Sequence, residues 1–112
     1  MANEAWFAGW LLLAGTAFCT PLQAQDAKAG RAKARQCVVC HGEDGIAVAP
    51  NAPNLAGENA AYIVAQLKAF RSGMRTHEQM TIIAADLKDA DIHDLALWYS
   101  LIDVVATPPD LD

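Results

Sequence analysis

Five consecutive residues, Cys37-Val38-Val39-Cys40-His41, hold the densest chemistry in this chain. Two thiols three positions apart project from one side of a helical turn, and an imidazole follows the second. A Cys-x-x-Cys pair can cycle between dithiol and disulfide, but such pairs follow a strand in a βαβ unit, and Asp26 to Gln36 reads as helix. The same residues could contribute to a zinc site, but His77 and His93 form no second paired motif. The remaining chemistry uses all three side chains. Each thiol adds to one vinyl group of a single porphyrin, and His41 becomes the proximal iron ligand, which is the attachment pattern of haem c.

A low-spin iron needs a second axial ligand. Met74, His77, Met80 and His93 are the candidates. Met74 follows Arg71-Ser72-Gly73 in a turn, His77 sits in the polar stretch Arg75 to Gln79, and His93 alternates with acids as a solvated surface residue does. Met80 opens the apolar run Met80 to Ala85, where a side chain could meet a buried iron, although methionine also fills cores well. A Met/His pair raises the reduction potential relative to two histidines, and filling both axial positions leaves none open for a substrate.

The elements that must position these groups read as helices and loops. Asp26 can cap a first helix from Ala27 to about Val38, with Gly30 marking a close packing partner. Residues 42–57 form a loop punctuated by Gly42, Gly45, Pro50, Pro53 and Gly57. Asn59 caps a second helix to about Arg71, with an apolar stripe of Ile63, Leu67 and Phe70. Thr81 to Asp86 makes a short helical stretch. A last helix from Lys88 or Asp89 to about Ile102 carries Ile92, Leu95, Ala96 and Tyr99 at helical spacing, with Asp89, Asp91 and Asp94 in its first turns, where the dipole favours acids.

The 112 residues leave room for one domain. Trp6 to Phe18 is apolar and Pro21 leads to Ala24, so residues 1–24 read as an export signal cleaved after Ala24, although no Lys or Arg precedes the apolar run. The 14 residues from Ala5 to Phe18 are too few to span a bilayer, so no stable membrane anchor is expected. The bulky Phe18 argues against a lipid on Cys19. Residues 25–106 then form the domain and 107–112 a tail. All 8 Lys and Arg and 12 of the 13 acids lie beyond residue 24, a net charge of −4 with no basic patch for nucleic acid. A domain this small needs a staple, and a covalently held cofactor is one.

From Ala27 to Asp103 the chain resembles the small bacterial class I cytochromes c, close to the kind that also occurs duplicated in dihaem periplasmic proteins. The matching stretches are Gly30 through Cys37-Val38-Val39-Cys40-His41-Gly42, then Ala52 to Gly57, Tyr62 to Gly73, and Asp91-Ile92 to Tyr99. The resemblance implies an all-α fold, about four helices around one covalently attached haem. It implies Met80 as the distal ligand and Pro53 as the residue whose carbonyl accepts a hydrogen bond from His41. Gly30 would lie where the first and last helices cross, opposite Trp98 or Tyr99, and Arg71 and Arg75 would be candidates for the haem propionates.

Two departures stand out. Lys88 replaces the usual Ser or Thr before the last helix, which costs a cap worth about 1 kcal/mol. Val38 and Val39 are bulkier than is common and read as core packing. The resemblance implies a periplasmic carrier passing single electrons between redox proteins, not an enzyme. Alternatives are a tightly held cytochrome subunit of an oxidoreductase, such as a flavocytochrome dehydrogenase, and a haem enzyme or gas sensor with an open iron.

Overall fold

The computed structural model describes residues 25–111. The expected signal, residues 1–24, lies outside them. Among the described residues the fold is helical throughout: α1 (Ala27–Lys33), a 3-10 turn (Ala34–Gln36), α2 (Val38–His41), α3 (Ala60–Ser72), α4 (Met80–Ala85) and α5 (Asp89–Ser100). None of these helices is long and apolar enough to cross a membrane.

The first expected helix is broken. It begins as read, with the Asp26 carboxylate accepting from the amides of Lys28 and Ala29 at 2.8 and 3.3 Å. It then tightens at Ala34, and Cys37 donates to the Ala34 carbonyl before α2 starts again. Within that second unit Cys37, Cys40 and His41 keep i, i+3 and i+4 spacing, so all three share one side. Gly42 ends the unit at φ +78°, and a side chain there would collide with the Ile46 carbonyl. Only glycine takes that backbone without strain.

Packing follows the apolar stripes. Ile92, Leu95, Ala96 and Tyr99 of α5 are all buried, and with Ile63 and Phe70 of α3 they form most of the core. Helix α1 crosses α5 at Gly30, where an added Cβ would strike the Asp94 carbonyl and lie 2.9 Å from Trp98 Cβ. Trp98, rather than Tyr99, is thus the aromatic at the crossing, and Arg31 lies 5.5 Å from the centre of its ring. Val39 is 80% exposed, so core packing does not explain it. It is placed on the outer side of the attachment turn, away from the face shared by the thiols and His41.

At the start of α5 the Lys88 side chain supplies no cap. The Asp91 carboxylate accepts from the Lys88 amide instead, at 3.0 Å, and pairs with Lys33 of α1 at 3.1 Å. One acid therefore closes the helix end and ties it to α1. The amide bond, aided by Lys33, holds its carboxyl below the usual range, and Arg71 does the same for Asp89. A lowered folded-state pKa stabilises the fold above the unfolded value and is lost as pH falls through the folded one.

Two outcomes are expected. Gly30→Ala should gain helix propensity yet lose about 2 kcal/mol in denaturant unfolding, because overpacking outweighs propensity. Stability measured at pH 6 and pH 3 should fall with acid below about pH 4, and Asp91→Asn should shrink that fall.

Candidate haem-binding site

The attachment unit, the 42–57 loop, α3 and α4 enclose a cavity of about 320 Å³. Cys37, Cys40 and His41 line it, and Leu55, Ile63, Leu67, Phe70, Ile83 and Leu95 give it apolar walls.

His41 is only 7% exposed, and its Nδ1 lies 2.8 Å from the carbonyl oxygen of Pro53. A carbonyl can only accept, so Nδ1 carries a proton and donates, which leaves Nε2 as the nitrogen that can offer a lone pair. The loop is shaped to deliver that carbonyl. Val48 and Ala49 donate to the Cys40 carbonyl, Leu55 and Ala56 to the Gly45 carbonyl, and Ala47 to the Asn54 side chain at 2.8 Å. The loop is thereby folded back onto the unit that carries His41.

Met80 of α4 is half-buried and lines the same cavity, as does His77. The other candidate ligands do not reach it. Met74 is 88% exposed, and His93 lies on α5 within 3.4 Å of Gln25. The arginines also separate. Arg71 is committed to the Leu87 carbonyl at 2.8 Å and to Asp89 at 2.6 Å, bracing α3 against the start of α5. Arg75 borders the cavity, stacked 4.5 Å over Phe70 and bonded to Gln66 at 2.6 Å.

Sequence reasoning took Tyr99 as core and missed its hydroxyl. That hydroxyl is buried at the cavity wall with no nitrogen or oxygen partner, and the Cys37 thiol is its polar neighbour. Burial, with the neighbouring Cys37, pushes its pKa well above the ordinary tyrosine value, and burial likewise raises the Cys37 thiol. The signal was available in principle, because a buried tyrosine normally finds a partner for its O–H.

These residues fit a haem. Two thiols share one side of a turn, an oriented imidazole and a thioether line one apolar cavity, and a buried tyrosine hydroxyl lies in its wall beside the first thiol. A helical chain with this site is a c-type haem protein. Residues 27–98 match the family model for cytochrome c, and the chain belongs to the cytochrome c family, whose members hold haem c covalently and transfer electrons.

It is 46% identical over 80 residues to cytochrome c-554(548) of Halomonas halodenitrificans, covering 69% of this chain and 96% of that protein. The structure of reduced cytochrome c4 from Pseudomonas stutzeri superposes with a TM-score of 0.67 at 36% identity, over 71% of this chain and 47% of that one. A thiosulfate dehydrogenase structure from Marichromatium purpuratum also gives 0.67, at 32% identity, over 80% of this chain and 23% of that one. The chain thus spans nearly all of one relative but only about two fifths of the cytochromes c4 it matches.

If the bound group supplies the partner that Tyr99 lacks, Tyr99→Phe should cost the haem-loaded protein about 1 kcal/mol in thermal unfolding. A variant more stable than its parent would mean the hydroxyl stays orphaned when the site is filled.

Proposed function

We propose that the chain binds one haem c through Cys37 and Cys40, with His41 and Met80 as axial ligands, and passes single electrons between redox proteins in the periplasm. The observation that carries this reading is the convergence of both cysteines, an oriented His41 and Met80 on one apolar cavity.

Bound haem supplies a reversible one-electron iron couple. The residues do the rest. Cys37 and Cys40 hold the group by thioether bonds, so it is not lost from a small, open domain. The bond from His41 to Pro53 orients the imidazole and makes Nε2 a better donor. Met80 would offer a neutral sulfur, which favours reduced iron. Leu67, Ile83 and their neighbours would keep water from a bound haem. Were His41 and Met80 both to ligate, no position would be left for a substrate, which favours a carrier over a haem enzyme or gas sensor.

The excess of acids over bases beyond residue 24 suits donors and acceptors with basic surfaces. Export is supported by the apolar leader pattern of residues 1–24. A second reading, in which the domain is the fixed cytochrome subunit of an oxidoreductase, draws on the likeness to part of a thiosulfate dehydrogenase. A stoichiometric partner on purification from the native host would favour it.

A redox titration should give a single reversible one-electron couple, and a protein without one is no carrier. Met80→Ala should abolish the sulfur-to-iron charge-transfer band of the ferric protein, lower the potential and admit carbon monoxide. If the band persists, Met80 is not the ligand.

A further inference from the structure

Helix α4 carries Met80, yet the residues that usually cap a helix are missing from its start. Ser, Thr, Asp and Asn fill that role because a short side chain can accept from the second and third helical amides. The Gln79 side chain makes no such bond. A single turn leads into the helix instead: Thr81 donates to the His77 carbonyl at 3.1 Å, and Ile82 then donates to the Gln79 carbonyl at 3.1 Å. The His77 ring does what an Asn side chain would do. Its Nδ1 accepts from the amides of Gln79 at 3.2 Å and Met80 at 3.4 Å. The Thr81 hydroxyl oxygen in turn accepts from the His77 amide at 2.9 Å. Donors are satisfied in both directions, as in a capping box displaced by one residue.

We propose that His77 is a positioning residue for Met80: its ring caps α4 and fixes the backbone from which the axial sulfur reaches the cavity. The inference rests on Met80 being that ligand. Packing at this end of the segment is confined to Met80 itself, which is half-buried against the core, because residues 72–79 are all exposed and the fully buried Ala84 lies about a turn further on. Upstream, Arg75 donates to the Ala69 carbonyl, which fixes the chain only five residues before Met80. A polar histidine in a polar stretch thus decides how firmly an apolar neighbour is presented.

Exogenous imidazole can reach ferric iron only when Met80 lets go, so its apparent affinity reports how firmly Met80 is held. Losing the cap should let His77→Ala bind imidazole about fivefold more tightly than the parent, the factor expected for an ordinary N-cap. His77→Asn keeps an acceptor at the same reach and should return the affinity to within about twofold of the parent. Asp26→Ala is the control. It removes the cap of α1, away from the cavity, and should lower the unfolding temperature while leaving imidazole affinity unchanged.

An affinity unmoved in His77→Ala, or a gain shared by Asp26→Ala, overturns the inference while the ligand assignment stands. A parent protein without the sulfur-to-iron band overturns the assignment and the inference together.

Discussion

The hydrogen bond from His41 Nδ1 to the Pro53 carbonyl is the side-chain link between the attachment unit and the loop that folds back onto it. The attachment unit can present its thiols and imidazole without help. It cannot choose which imidazole nitrogen holds the proton, nor fix the ring. Both are decided by a carbonyl twelve residues away. The loop that carries it is irregular because its task is to return, not to pack. Its backbone bonds run back to Cys40 and Gly45, and Gly42 turns the chain where α2 ends.

The core explains why such a site must be stapled. Of the nine buried apolar residues among those described, three are alanines. A core so thin stabilises little by burial alone. The cavity walls, Leu55, Leu67, Ile83 and others, would be a second core if something apolar filled the space between them. Covalent attachment keeps that filling in place, so folding and cofactor retention are one problem. Electrostatics assists at the rim. Asp91 and Arg71 each serve two elements, and both fasten the start of α5 to a neighbouring helix.

Much of this was legible in the residues. Caps at Asp26 and Asn59, the stripes of α3 and α5, and the close approach at Gly30 follow from local rules and hold in the structure. The misreadings have physical sources. Ala, Lys and Arg, all good helix formers, dominate residues 27–35, so the 3-10 tightening at Ala34 leaves no mark in the composition. Val39 looks like core because it is apolar, but its place on the outer side of the turn decides its exposure. Lys88 looks like a lost cap because sequence shows the missing acceptor and not the Asp91 carboxylate that reaches back to the Lys88 amide and closes the same helix end. Arg71 and Arg75 look alike, and only three-dimensional packing assigns one to Leu87 and Asp89 and the other to the cavity. The cap at His77 was hidden because imidazole is seldom counted among capping groups.

The crossing at Gly30 bears on the order in which the molecule can be completed. Helix α1 has its principal seat on α5, where the Asp26 amide meets Asp94 and a bare backbone fits beneath Trp98. A chain still lacking residues 89–100 therefore offers α1 nowhere to rest, however well it is capped. Synthesis runs from the cysteines towards the tryptophan, but tertiary closure has to run from the far end back. The domain is thus a loop whose clasp is made last.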